Sequence, residues 1–185
     1  IIGAGRAAQT LAYLWRQAGL LEIRAVVCRQ LQHARQAVTF IGAGKATNEL
    51  TQLPSADIWL IATPDDQIQP VANQLAAAGI RGQSAFHLSG SLTAEQLAPL
   101  RSCGLTLASV HPIRSFAQPQ LAISQFAATS CGAEGDAAAL ALLLPLFSGI
   151  NAQTFTINSQ HKSLYHAGSV MACNYLVSLL EAGLQ

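Results

Sequence analysis

Two patterns of apolar residues alternate along this chain. Short runs such as Ile23 to Cys28 and Ile58 to Ala62 are apolar almost throughout, whereas the segments between them carry apolar residues three and four positions apart. The first pattern suits strands buried on both faces, and the second puts one apolar stripe on a helix. The pattern predicts a strand at Ile1 and Ile2, a helix from about Arg6 to Gln17 ended by Gly19, a strand over 23–28 and a polar helix over 31–37. After a loose stretch to Pro54 it predicts a strand over 58–62, a helix over 67–78, a strand over 85–88, a helix over 94–102 and a strand over 105–110. Strands that alternate with helices of this length are βαβ units, which place a parallel sheet between two helical layers. The fold class is α/β, doubly wound.

Past Val110 the rhythm changes to a proline-containing loop, 112–124, then a strand over 126–130, a helix over 136–147 and a strand over 152–157, which extend the same sheet at its edge. From Ser159 onward Leu164, Ala167, Val170, Met171, Tyr175, Val177 and Leu180 fall at helical spacing. A long helix after an α/β unit is expected to begin an all-helical second domain, with the boundary near Asn158. No initiator Met is present, the Ile1-Ile2 strand is shorter than the usual five or so residues, and the last helix stops at Gln185 without a cap. A fragment cut at both ends is the expectation.

Composition narrows the functional classes. Of 185 residues, 51% are hydrophobic and only 10% charged, which suits a folded domain with a large core and excludes a disordered tail. Ten basic against nine acidic residues give a net charge of +1, with no clustered positive charge for nucleic acid or an anionic membrane surface. The longest apolar run, 137–147, is too short to span a bilayer and contains Pro145. Cys28, Cys103, Cys131 and Cys173 form no CxxC pair and no zinc-finger spacing, so no metal is expected; free thiols in the cytoplasm are.

The segment Gly3-Ala4-Gly5-Arg6-Ala7-Ala8 follows an apolar strand and opens an amphipathic helix. In a GxGxxA loop the first glycine permits the tight turn, the second lets the backbone approach a pyrophosphate, and the small sixth residue lets helix and strand pack closely. The unpaired N–H groups of the helix N-terminus then meet the anion. A near copy, Gly42-Ala43-Gly44-Lys45-Ala46-Thr47, is preceded by helical residues and followed by a polar stretch without an apolar stripe. It is expected to be a loop.

After the second strand, where NAD-binding loops place a carboxylate for the ribose 2′-hydroxyl, this chain has Cys28-Arg29-Gln30. Arg29 offers a guanidinium fork suited to a 2′-phosphate, which favours NADP. Ligands of open α/β sheets lie outside the carboxyl ends of the strands, and three such ends are polar here. Ala62-Thr63-Pro64 would let a cofactor ribose or ring pass, while the following Asp65 either joins the site or simply begins a helix. His87 and Ser89 leave the next strand and His111 the one after it. One such histidine alone suits a structural role; two on successive strand ends suggest a site. On the last helix Lys162, His166 and Asn174 share one face, with Lys162 one of only two lysines in the chain. An imidazole or ammonium near a carbonyl can supply the proton that accompanies hydride delivery, and an Asn amide can orient a substrate. Tyr165 suits packing.

GAGRAA, the Arg after the second strand, IATPDD, HLSGS, HPIRSF and YHAGSVMACN occur in that order. With these motifs the chain resembles a family of bacterial proteins whose N-terminal domain is similar to the deazaflavin-dependent NADP oxidoreductases and whose helical C-terminal domain has no assigned function. More distantly it is similar to pyrroline-5-carboxylate reductase, ketopantoate reductase and the 6-phosphogluconate dehydrogenase group. The resemblance implies a Rossmann-type sheet that binds NADP and a helical domain that closes over the nicotinamide and makes a homodimer. Those dehydrogenases use a Lys with an Asn further along the same helix; Lys162 and Asn174 occupy that region at a longer spacing.

These features point first to an NADP-dependent reductase or dehydrogenase of a small carbonyl, imine or hydroxy compound, with His111 and His166 the foremost acid–base candidates. The rival from another class is a module that senses NADP(H) without turnover. A methyltransferase is disfavoured because the acidic ribose ligand after the second strand is missing.

Overall fold

The computed structural model describes residues 1–183, apart from the side chains at positions 52, 173, 174 and 176–178. Helix α1 (Arg6–Gln17) is followed by β1 (Ala25–Val27), α2 (Leu31–Ile41) and β2 (Lys45–Thr47). Next come β3 (Ile58–Ile61), α3 (Asp65–Ala77), β4 (Ser84–His87), a 3₁₀ segment over Ala94–Cys103, and β5 (Thr106–Pro112). The chain continues through α4 (Pro119–Ser124), β6 (Ser130–Gly135), α5 (Ala137–Ser148), β7 (Gln153–Thr156), α6 (Lys162–Val170) and α7 (Leu176–Gly183).

Ile2 bridges Val27 on one side and Ile61 on the other, both in parallel, and so joins β2-β1 to β3-β4-β5-β6-β7. Counting the Ile2 stretch as the first strand, the order is 3-2-1-4-5-6, with an antiparallel β6 and then β7 added beside β5. This is the Rossmann-type arrangement, and its topological reversal lies where Ile2 meets β3.

The two faces of the sheet bury different sets. On one, Leu11 and Trp15 of α1 pack with Leu143 and Phe147 of α5 over Leu60, Phe86, Ala108 and Val110. The Trp15 indole donates to the Leu146 carbonyl at 3.0 Å and stands edge-on to Phe147 at 5.2 Å. On the other face, Ile68, Ala72 and Leu75 of α3 pack with Leu97 and Leu100 over Trp59, Ile61, Ala85 and Leu107. This two-sided burial explains why the strands are apolar throughout rather than alternating.

Several predicted elements differ. The second glycine motif is not a loop: Gly42 ends α2 in a left-handed conformation (φ 77°), Gly44 turns the chain (φ 98°), and Lys45–Thr47 form edge strand β2. Its residues were too few and too polar to register as a strand. The segment after Thr93 winds as a 3₁₀ helix that contains Pro99, which has no N–H to give an α-helical bond. The strand expected over 126–130 lies at Ser130–Gly135, because Phe126 is a core anchor before the strand and the small residues Cys131 and Ala133 make its buried side. The loop over 112–124 contains α4, and the last helix is interrupted by a π-helical turn at Met171–Tyr175. Beyond the sheet Leu164, Met171, Tyr175, Leu179 and Leu180 are exposed. Among the described residues Cys28, Cys103 and Cys131 are free thiols, and no helix is long and apolar enough to cross a membrane.

Among the described residues two other than glycine have positive φ, Ala128 (61°) and Asn151 (62°), and the Ala128 N–H donates to the Asn151 carbonyl at 2.7 Å. Asn tolerates this region, whereas an alanine pays about 1–2 kcal/mol for it. Ala128→Gly should therefore stabilise the protein by roughly 0.5–1 kcal/mol after the larger unfolded-state entropy of glycine is subtracted, raising Tm by about 2 °C in a thermal melt. A lower Tm would mean that the left-handed turn carries no strain.

Candidate active site

The glycine loop sits at the reversal point. Gly3 has φ 85°, and a Cβ there would stand 2.6 Å from the Ala62 carbonyl oxygen and 3.0 Å from the Thr63 nitrogen, so only glycine fits. Gly5 caps α1 with no side-chain hydrogen bond, and no acidic residue occupies the first turn. A Cβ on Gly5 would meet only the Ala62 oxygen, at 3.9 Å. The space beside it is open. Ala4, Arg6 and Ala7 follow the loop around, and Ala8 is buried against the sheet, as its smallness requires. Ala62-Thr63-Pro64 form the opposite wall, where the Thr63 hydroxyl oxygen is buried without a hydrogen-bond partner. Arg29 lies exposed just after β1.

The second part of the site is built by side-chain alternation. Ala85 and Leu107 face α3, so His87, Ser109 and His111, two or four residues on, emerge on the same face. On β6, Cys131 and Ala133 face α1 and α5, which turns Gly132 and Glu134 to the α3 side. The antiparallel register sets Ser109 opposite Glu134 and His111 opposite Gly132. Helix α6 covers these two rungs.

On the first rung Lys162, 1% exposed, donates from Nζ to Glu134 Oε1 at 2.9 Å and to the Ser109 hydroxyl. Burial lowers the Lys162 pKa, and the adjoining Glu134 carboxylate opposes that shift. On the second rung His111 Nδ1 and the Tyr165 hydroxyl are 3.1 Å apart with their rings edge-on. A Cβ on Gly132 would stand 2.5 Å from the Tyr165 hydroxyl, so the glycine makes room for it. His166 is edge-on to His111 at 5.6 Å, and its Nδ1 is buried without a partner. A Cβ on Gly90 would collide with His166 Nδ1 and with the His111 ring. Burial drives the His111 pKa down to about 4, with His166 and Lys162 pushing the same way, so the ring is neutral at neutral pH. Burial raises the Tyr165 pKa.

Of the residues singled out in the sequence, the structure gathers His111, His166 and Lys162 under one helix. His87 is wholly buried with both ring nitrogens used: Nδ1 accepts from the Ser89 N–H at 3.1 Å and Nε2 donates to the Thr93 carbonyl at 3.0 Å. Ser89 donates to Asp65 at 2.6 Å and accepts from the Ser91 and Leu92 N–H groups, closing the turn after β4. Asn174 lies outside the described residues. Sequence reasoning passed over Glu134, Ser109, Gly90 and Gly132, and assigned Tyr165 to packing. The one available signal was Glu134 itself, a carboxylate in a run of small residues. A cavity of about 610 Å³ lies elsewhere, lined by Ile1, Trp15, Ile23, Trp59 and Phe86. It is separate from the glycine loop and the histidine cluster.

Comparison with known proteins agrees with this architecture. Residues 129–185 match a domain of unknown function (DUF2520). Protein TM1727 from Thermotoga maritima superposes with a TM-score of 0.76 at 27% identity, covering 96% of this chain and 64% of that one. Pyrroline-5-carboxylate reductase from Coxiella burnetii gives 0.72 at 17% identity over 98% and 66%. Imine reductase from Myxococcus stipitatus, in complex with NADP+, gives 0.72 at 16% over 99% and 62%. A variant of that imine reductase has been solved with NAD+. The chain thus spans about two thirds of the length of these structures. A search of curated proteins finds no match. The fold is of the Rossmann type, shared with these reductase structures.

His87 makes the pH dependence of stability testable. Its pKa in the folded protein is pushed down to about 4 by burial, which outweighs the Thr93 bond, while the Lys162 charge adds to the lowering. The unfolded chain binds the proton near pH 6.5 and the folded one near 4, so stability falls as the pH drops between those values. His87 should account for a loss of up to about 3 kcal/mol across that window. Urea midpoints at pH 7 and pH 5 should differ more in the parent than in His87→Gln; equal differences would place the proton elsewhere.

Proposed function

We propose that the protein is an NADP-dependent oxidoreductase acting on a small carbonyl, imine or hydroxy compound. The observation that carries this is a pair of buried polar atoms without partners, Thr63 Oγ1 beside the glycine loop and His166 Nδ1 beneath α6. Buried polar groups are otherwise almost always hydrogen-bonded, so a ligand is the natural partner for both. A dinucleotide fits the residues present. The open space at Gly5 and the uncapped start of α1 suit a pyrophosphate, Thr63 suits a ribose or carboxamide, and Arg29 suits a 2′-phosphate.

When bound, the nicotinamide supplies or accepts the hydride. The chain's own residues handle the proton. Neutral His111 carries one N–H and one lone pair, so together with the Tyr165 hydroxyl it can give a proton at one end and take one at the other. His166 faces the same space across Gly90 and is available to orient the substrate heteroatom. His87 and Ser89 hold the turn that carries Gly90, and both ring nitrogens of His87 are used in doing so; Lys162 spends two of its three N–H donors on Ser109 and Glu134 and so holds α6. Asn174 keeps the role of orienting the substrate. The helical segment from Ser159 is proposed to begin the second domain, through which the protein would form a homodimer.

Two measurements follow. NADPH should bind about tenfold or more tightly than NADH, because one charge-assisted phosphate contact is worth roughly 1.5–3 kcal/mol. Arg29→Ala should remove that preference, and Gly5→Val, which the fold accommodates, should abolish binding of both cofactors; equal parent affinities would rule out the Arg29 assignment. With a substrate found by screening small carbonyls and imines against NADPH absorbance, His111→Ala and Tyr165→Phe should keep NADPH affinity within a few fold while lowering turnover about a hundredfold or more. Parent-like turnover in both would leave the cluster a binding surface and favour the NADP(H)-sensing alternative.

A further inference from the structure

The Glu134 carboxylate has more partners than one ion pair requires. Its Oε1 accepts from Lys162 Nζ at 2.9 Å and from the Ala94 N–H at 2.8 Å, and its Oε2 accepts from the Ser159 hydroxyl at 2.7 Å. These donors belong to the base of α6, the start of the 3₁₀ segment and the turn that leads into α6. Both charged side chains are almost wholly buried, at 1% and 3% exposure. A buried ammonium and carboxylate hold each other strongly in place, since separating them leaves an uncompensated charge.

Lys162 and Tyr165 are three residues apart on α6, a rise of about 4.5 Å, and they meet two successive rungs of the β5–β6 pair, about 6.7 Å apart along the strands. Lys162 meets Ser109 and Glu134; Tyr165 meets His111 and Gly132. The first rung fixes where the helix sits and how it is rotated. The second rung is the one that carries the proton-handling groups. We infer that Glu134 is a positioning residue, whose carboxylate seats α6 through Lys162 and Ser159 so that Tyr165 and His166 reach His111.

The consequence for turnover rests on the oxidoreductase reading, whereas the consequence for geometry does not. The test is the pair Glu134→Gln with Lys162→Met, made together. This removes both charges at once, and the glutamine keeps an acceptor for the Ala94 N–H and a polar partner for Ser159. In histidine- and tyrosine-labelled protein, cross-peaks between the ring protons of His111 and Tyr165 are expected in the parent, where the ring centroids are 5.9 Å apart. In the double variant they should weaken at least twofold. NADPH affinity should stay within about threefold, because the glycine loop is untouched, while turnover on a found substrate falls tenfold or more. Should the double variant fail to fold, Glu134→Gln alone, which is isosteric, is read by the same cross-peaks with the same expected weakening. Undiminished cross-peaks in a folded variant would overturn the positioning role. A parent that binds no NADPH would instead overturn the oxidoreductase reading and leave the cross-peak result standing.

Discussion

A lysine ammonium excluded from water needs a carboxylate and hydrogen-bond acceptors held around it, and the arrangement at the carboxyl end of this sheet follows from that need. Lys162 finds Glu134 and Ser109, which are opposite each other on two antiparallel strands. That pairing exists because β6 runs against β5, the one antiparallel junction among the described strands. Once Lys162 is placed there, the next turn of α6 has only one place to go. Tyr165 descends onto His111, and the missing side chains of Gly132 and Gly90 leave space for the phenol and for His166. Dense packing among His111, Tyr165 and His166 then excludes water from the imidazole, which is why His111 stays neutral well below its ordinary range.

The other half of the site depends on crowding rather than charge. Gly3 is pressed against the carbonyl of Ala62, so the first turn and the end of β3 fit only with a bare backbone, while the space at Gly5 stays open. The same letters do different work at Gly42 and Gly44. There a helix comes first, so the initial glycine ends it, and the second packs on Ile23 and delivers the chain to an edge strand. A glycine motif is thus given meaning by the element that precedes it.

Much of the fold was legible along the chain. Helix α1 was bounded correctly because Gly5 and Gly19 flank an amphipathic stripe, and the strands Ile58–Ile61 and Ser84–His87 stood out as short apolar runs. Short polar β2 and small-residue β6 were misread, since neither has enough β-branched surface to signal a strand; sheet neighbours impose their conformation. Among site residues, the glycine loop and the histidines at strand ends were visible because each is tied to a local pattern.

The sequence by itself determined the alternation of strand and helix, the glycine turn at its start and the set of polar residues at the strand ends, because these rest on spacing along a few neighbouring residues. Only the tertiary structure decided their duties. His87 and His111 look alike in sequence, yet one is closed by two backbone groups and the other opens onto a tyrosine. Tyr165 acquired a partner and Lys162 lost its freedom through residues 54 and 28 positions away. Those roles come from strand register and from what burial does to a charge, and neither is a property of a local stretch of chain.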